Sequence, residues 1–323
     1  MNYYEPLEYI VKPEEEGMLL RTVLLNRLNV SRKLISRLKL TEQGITVNGE
    51  RRYTSSKVAA GDRVEIRMQE EQSDDIMPQE LPLSIIYEDD HLLVVNKAAG
   101  IIVHPTHGHY MNTLANAVVY HWQQTGCKSR FRPIHRLDQD TSGTLAIAKN
   151  PFVHQQVSEQ MQANTVTKQY LAIVHGIMEH DAGTVNELID RDQEQPHLRI
   201  VTPSGYPAVT HYKVERRFAA ATLVRLTLET GRTHQIRVHM LHLGHPLFGD
   251  SMYGLSRLRL VTGDAADAAG DAGRHTNADT ADAAMGRQAL HACLLAFRHP
   301  FTRERMEFTA ELPEDMRSCL EQL

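Results

Sequence analysis

Residues 135–143 read HRLDQDTSG, a run that packs a histidine, an arginine, two carboxylates two positions apart, two hydroxyls and a glycine into nine positions. Two readings compete. DQDTSG, from Asp138 to Gly143, fits the first half of a calcium loop, with ligands at positions 1, 3 and 5 and glycine at 6. Alternatively, one aspartate is a catalyst and Arg136 handles a charged or stacked substrate. The metal reading fails at loop position 12, where a bidentate glutamate belongs and Lys149 stands. TLAIAKN, which follows Gly143, also reads as a strand and not as the exiting helix of such a loop.

Other chemistries find less support. His234, His239, His242 and His245 fall in GRTHQIRVHMLHLGHP, and His239 and His242 could share a helix face. Zinc would need a third ligand with outer support, and helical histidines beside arginines more often bind phosphate or fill a polar interface. There is no GxSxG, so Ser142 reads as a turn or capping residue. No phosphate-cradling glycine loop is present either. Neither a metal, nor a nucleotide, nor any other cofactor is expected.

The 323 residues suggest one large domain with a small appendage, and 41% hydrophobic and 23% charged residues suit a folded soluble protein. No secretion signal and no run of eighteen apolar residues is visible. Cys127, Cys293 and Cys319 lie far apart with no CxxC, which fits a reduced, cytoplasmic setting without a zinc framework. A net charge of −5 argues against a polyanionic partner, but the average misleads. Between Leu19 and Arg67 eleven basic side chains face four acidic ones, a surplus of seven, so the remainder carries −12. Such asymmetry suggests a nucleic-acid-binding module joined to a less basic body.

That module has a readable architecture. LLRTVLLNRL is helix-like, Ser31 caps a second helix RKLISRLKL, and Gly44 reads as its C-terminal stop. Leu34, Ile35 and Leu38 share one face of the second helix, leaving Lys33 and Arg37 on another for phosphates. ITVNGERRY reads as a hairpin turning at Asn48-Gly49, and GDRVEIR as a closing strand. Residues 69–82, QEEQSDDIMPQELP, form an acidic linker. A larger domain over 83–323 follows, with strands in IIYEDDHLLVVNK, TLAIAK, KQYLAIVHG, VTHYKVERRF and ATLVRLTLE. Helices are expected at NTLANAVVYHW and around VHQQVSEQM and HQIRVHMLHLG. The fold class is therefore α+β: a mixed, largely antiparallel sheet with flanking helices, preceded by the small α/β unit of residues 1–68. The Ala/Asp/Gly-rich stretch at about 257–285 reads as a disordered insertion.

The basic segment resembles the S-four-like RNA-binding domain, in which two short helices and a small sheet hold basic side chains against folded RNA. That resemblance makes Arg32, Lys33, Arg37, Lys39, Arg51 and Arg52 candidate RNA contacts. HRLDQDTSG resembles the catalytic motif of the RNA pseudouridine synthases of the RluA/RluD branch. KQYLAIVHG is similar to that family's tyrosine-bearing strand, GRTHQIRVH to its arginine motif, and GHPLFGD and RQALHACLLAFRHP to its closing segments. The motifs follow in the expected order over residues 81–312. Two departures stand out: Ala98 in NKAAG, where the family usually has proline, and the Ala/Asp-rich stretch.

The resemblance implies an isomerase that detaches N1 of uracil from C1′, rotates the base and rejoins it through C5. Structured RNA, ribosomal RNA ahead of transfer RNA, would be the substrate and partner, the enzyme being a monomer. It makes Asp138 the catalytic aspartate, Arg237 its ion-pair partner and Tyr170 the aromatic residue against the base. Arg136 would fill the gap left by the flipped nucleotide, with His135, Thr141, Arg232, His234 and Gln235 as further base-flipping and substrate-binding residues. Asp140 reads as a loop carboxylate that satisfies backbone donors. Asp138 has three routes open to it: attack at C1′, addition at C6, or removal of the 2′ proton. The alternative function is a non-catalytic RNA-binding or ribosome-assembly factor that retains the fold; the intact Asp138, Tyr170 and Arg237 argue against it.

Overall fold

The computed structural model describes residues 2–262 and 277–323. Its N-terminal unit is a four-stranded antiparallel sheet of β1 (Leu7–Ile10), β2 (Ile45–Val47), β3 (Glu50–Arg51) and β4 (Arg63–Ile66), in the order β1-β4-β2-β3. α1 (Leu20–Asn26) and α2 (Arg32–Leu38) share its core. The Ser31 hydroxyl accepts a bond from the Leu34 N–H at 3.2 Å, which caps α2 and satisfies one of its free amides. Leu34, Ile35 and Leu38 are buried, whereas Lys33 and Arg37 stay exposed. Asn48 and Gly49 both take positive φ, as a type I′ turn between β2 and β3 requires. Gly44 has a different job from the one expected. α2 already ends at Leu38, and a Cβ on Gly44 would lie 2.1 Å from the Leu38 carbonyl oxygen. The missing side chain lets the chain pass close beneath the helix end.

Residues 69–82 connect the two units, but not as a free linker. Glu71 pairs with Arg37 at 2.6 Å and with Arg132, Ser73 accepts a bond from the Phe131 N–H at 2.8 Å, and Ile76 is buried in the large core. The acidic composition that suggested a solvated tether instead supplies partners for cations on both sides. Phe152 of the large domain lies in the small domain's core, and Gln155 and Gln156 both donate to the Asn29 carbonyl at 2.8 Å.

The large domain is one ten-stranded sheet. Its strands are β5 (Ser84–Glu88), β6 (Leu92–Lys97), β7 (Ser142–Ala148), β8 (Thr167–His175), β9 (Ala182–Arg191), β10 (Arg199–Val201), β11 (Tyr206–Arg217), β12 (Ala221–Leu228), β13 (Leu290–Arg298) and β14 (Arg305–Thr309). They run β10-β9-β11-β12-β8-β13-β7-β6-β5, with β14 paired to β13. All pairings are antiparallel except β7 with β13, so the mixed, largely antiparallel sheet expected from the sequence is found. The parallel junction pairs Ser142 with His291 and Gly143 with Ala292. Gly143 has φ +114°, and a Cβ there would meet the Ala292 carbonyl oxygen at 2.2 Å, so the last letter of HRLDQDTSG is dictated by this strand contact.

Helices flank the sheet: α3 (Leu114–Thr125), α4 (Pro151–Gln162), α5 (Gln235–His242), α6 (Leu255–Thr262), α7 (Asn277–Met285) and α8 (Glu314–Gln322). The disordered insertion expected at about 257–285 needs correction at both ends, because Leu255–Thr262 and Asn277–Met285 are helical. Ala278, Ala281 and Met285 are buried in one cluster with Met316 and Cys319 of α8, a packing in which two of the three are alanine methyls. Residues 263–276 lie outside the described residues.

Candidate active site

Eight of the nine residues proposed for catalysis and substrate binding line one cavity of about 90 Å³: Arg136, Asp138, Thr141, Tyr170, Arg232, His234, Gln235 and Arg237. They come from the turn before β7, from β8, from the loop between β12 and α5, and from the first turn of α5. His135 is the exception. It accepts a bond from the Ala146 N–H at 3.3 Å, and burial, with help from the nearby Lys168 charge, pushes its pKa down to about 4. A neutral imidazole props β7 at Ala146, toward the strand's far end.

Asp138 is partly exposed and faces one arginine and one histidine, whose pKa burial lowers. The nearest Arg237 nitrogen, Nη1, is 3.5 Å from its Oδ2, and His234 Nε2 is 4.0 Å away. Arg237 is not devoted to Asp138, however. Its Nε and Nη2 make a fork with both oxygens of Asp250, at 2.6 and 2.8 Å, and both side chains are buried. Asp250 also accepts from the Met252 and Tyr253 N–H groups, at 3.0 and 2.9 Å. A buried arginine needs such a partner, because an isolated ion loses several kcal/mol of hydration (roughly) on burial. The fork aims the remaining nitrogen, Nη1, at Asp138. The Tyr253 ring lies 4.9 Å from the guanidinium and its hydroxyl meets His234 Nδ1 at 2.9 Å, so one tyrosine braces both side chains.

Tyr170 is 8% exposed and lines the cavity, and its hydroxyl has no hydrogen bond among the described residues. Burial, reinforced by the Asp138 charge, holds its pKa above the ordinary tyrosine value, so the phenol is neutral at physiological pH.

The turn carrying Asp138 is held from beneath. Lys97 is buried, and its Nζ donates to the Ala98, Ile101 and Gln139 carbonyls, each at 2.8 Å. Arg287 donates to the Asp140 carbonyl at 3.0 Å while its other edge forks onto Asp315 of α8. Gln288 donates to the Thr141 hydroxyl at 3.3 Å. Thus Asp140 contributes a backbone oxygen, and its carboxylate accepts no hydrogen bond among the described residues, contrary to expectation.

Other assignments change on inspection. Gln235 uses all four of its bonding positions internally: it accepts from Thr230 Oγ1 and the Arg232 N–H, and donates to the Val209 carbonyl and Thr210 Oγ1, at 2.8–3.0 Å. It fixes the loop and has nothing left for a substrate. Arg232 donates to the Pro207 carbonyl at 3.1 Å and lies over the Tyr206 ring at the cavity rim. Arg136 is exposed, with no ion pair or hydrogen bond among the described residues. The histidine series diverges: His239 meets Thr210 Oγ1 at 2.9 Å and His245 the His175 carbonyl at 2.8 Å, on different partners from His234. Arg32, Lys33, Lys39, Arg51 and Arg52 lie exposed on the small domain, while Arg37 is taken up by Glu71.

The sequence of this chain matches the family described as RNA pseudouridylate synthase over residues 91–242, and the RluD ribosomal pseudouridine synthase N-terminal domain over residues 7–64. It is 39% identical to an uncharacterized RNA pseudouridine synthase, YhcT, of Bacillus subtilis, across 97% of this chain and 95% of that protein. The ribosomal large subunit pseudouridine synthase D of Vibrio parahaemolyticus is 39% identical across 89% of this chain and 86% of its own length. Human RNA pseudouridylate synthase domain containing 1 has a similar structure, with a TM-score of 0.56 and 26% identity, covering 74% of this chain and 87% of that one. This chain belongs to the RNA pseudouridine synthases. It is accordingly an isomerase, and Asp138 with Arg237 and His234 beside it forms its candidate catalytic centre.

Proposed function

We propose that the enzyme converts particular uridines of structured ribosomal RNA to pseudouridine, with Asp138 as the catalytic residue. The observation that carries this reading is a partly exposed carboxylate beside an arginine and a histidine that other side chains hold in place. The ribosomal substrate is what the name of the Vibrio parahaemolyticus relative states of that protein. We read the enzyme as a cytoplasmic monomer; no helix among the described residues is long and apolar enough to cross a membrane.

A uridine must leave its stack before the glycosidic bond can be reached, at a cost of a few kcal/mol (roughly). The cavity's 90 Å³ is well below the roughly 300 Å³ at which small-molecule sites begin, so a base enters only as rim side chains move. Arg136, free of partners, is suited to occupy the vacated stack, since a planar cation stacks and binds phosphate together. Breaking N1–C1′ and joining C5–C1′ then takes one proton from C5 and returns one to N1, with no net change in atoms. Asp138 serves as nucleophile or base, with Arg237 Nη1 as the neighbouring cation. Tyr170 offers a ring against the base and a neutral hydroxyl to relay the C5 proton; as a phenol it must give up its own proton when it takes another. Thr141, Arg232 and His234 remain as substrate contacts on the wall, and the exposed cations of the small domain as phosphate contacts. Mapping pseudouridine in ribosomal RNA from cells with and without this gene tests the reading. Sites that vanish with the gene and stay absent when only Asp138→Asn is restored are expected; an unchanged map refutes it.

A further inference from the structure

Beside β3 the small domain holds a second cavity of about 600 Å³, well within the roughly 300–1,000 Å³ of small-molecule sites. Leu38 and Ile45 line it from the buried side, Thr54 and Ser55 supply hydroxyls, and Lys39, Arg51 and Arg52 surround it with charge. Its remaining wall is Tyr53, an aromatic side chain left 85% exposed. That exposure does not reflect a loose segment. The turn is closed by the Ser56 N–H on the Tyr53 carbonyl at 2.9 Å, and its Thr54 and Ser56 carbonyls accept from Arg21 and Leu20 of α1, at 2.9 and 2.8 Å. Arg51 is likewise held, donating to the Lys39 carbonyl at 2.7 Å, which leaves its other N–H groups pointing to solvent or a ligand.

A rigid, exposed aromatic face among three cations suits one chemistry, a base to stack and a phosphate to pair. Bases inside a duplex have both faces covered by their neighbours, whereas unpaired ones present a free face. We infer that this cavity binds an unpaired nucleotide, stacked on Tyr53 with its phosphates held by Arg51, Arg52 and Lys39. The inference rests on the proposal above that the small domain contacts RNA, and it narrows the substrate class. The enzyme selects RNA in which a bulged or looped nucleotide accompanies the target uridine, one read at Tyr53 and the other delivered to Asp138.

The test measures binding of the full chain to two fluorescein-labelled RNAs by anisotropy: a perfect 20-base-pair duplex, and the same duplex with one bulged adenosine. Tyr53→Ala should weaken binding of the bulged RNA about tenfold, as loss of one stacked base predicts, and leave the duplex within twofold. Tyr53→Phe should match wild type. Because a stack involves no counterion release, Tyr53→Ala should also leave the salt dependence unchanged. Arg51→Ala with Arg52→Ala should weaken both RNAs and flatten that dependence. Equal affinity of wild type and Tyr53→Ala for the bulged RNA, or equal weakening of both RNAs, overturns the nucleotide pocket. If the double arginine variant also binds both RNAs like wild type, the small domain's role in RNA contact fails as well; if only the tyrosine result is negative, that role stands.

Discussion

Arg237 and Arg37 are the same side chain in two opposite settings. Arg237 is buried, with a forked carboxylate behind it and Asp138 in front. Arg37 is half exposed on the small domain, with Glu71 at 2.6 Å in full reach of water. Coulomb attraction that water and salt weaken at the surface is preserved in the buried pair, but so is the penalty for leaving either member alone. The candidate site thus rests on a buried, forked pair, whereas Arg32, Lys33, Lys39, Arg51 and Arg52 of the small domain lie exposed. Reaction chemistry needs the first arrangement and sliding along a polyanion suits the second.

Five measurements press on this contrast. Asp138→Asn removes the carboxylate but keeps its shape; single-turnover pseudouridine formation should fall by on the order of 10³ or more with RNA affinity nearly intact. Residual multiple turnover would mean another group carries the reaction. Asp250→Asn leaves Arg237 with a weakened partner inside the fold, and chemical denaturation should show a loss approaching the roughly 3–5 kcal/mol of a broken buried pair. Adding Arg237→Met should recover much of that stability without restoring activity; no recovery would show that Asp250 acts mainly through its backbone contacts at 252 and 253. Tyr170→Phe keeps the ring and loses the relay, so the chemical step should slow by on the order of 10², in the range of general acid–base groups. A rate within a few-fold of wild type would leave Tyr170 as a stacking surface alone.

The fourth effect is a pH dependence. His135 titrates at about 4 in the fold, against an ordinary value near 6.5, so the unfolded chain takes up its proton first. The stability this group contributes is whole above about pH 6.5 and is lost as pH falls through about 4, with a slope of at most about 1.4 kcal/mol per pH unit. His135→Gln should flatten that part of the acid-unfolding curve, and an unchanged curve would show that His135 is protonated in the fold. Smallest of all, Arg37→Ala should change stability by no more than about 1 kcal/mol, as exposed pairs do. A larger loss would mean that the strap at 69–82 is held chiefly by that contact.

Legibility followed the range of the interaction. Ser31 capping α2 and Asn48-Gly49 turning the hairpin act over a few residues, and both were readable. Asp138, Tyr170 and Arg237 stood out because five motifs fell in order, not through any local pattern, and they do share one cavity. Asp250 closes GHPLFGD and was in plain view, yet nothing in the spacing says that it, and not Asp138, makes the closer pair with Arg237. Lys97, Arg287 and Gln288 were missed for the same reason: their targets are backbone oxygens and a hydroxyl on a distant turn. α7 was misread because composition suggests no core, but alanines facing a helix leave room for close packing that larger residues would obstruct. β9 and β10 were overlooked where polar residues interrupt the alternation, since β9 is covered unevenly along its length.

The parallel seam between β7 and β13 also sets a timetable. Ser142 and His291 bond across 149 positions of chain, and the catalytic turn rests on residues 287 and 288 just before that seam. At roughly 5–20 residues per second, a ribosome needs about 7 to 30 s to travel from one side of the seam to the other. Through that interval the small domain is already made, while the turn carrying Asp138 leads into a strand with an open edge. A nascent chain therefore passes through a stage with the small domain formed and the Asp138 turn still without a floor. Unpaired edges are prone to wrong partners, so the arrival of β13 is both the step that switches the enzyme on and the step that ends its most aggregation-exposed period.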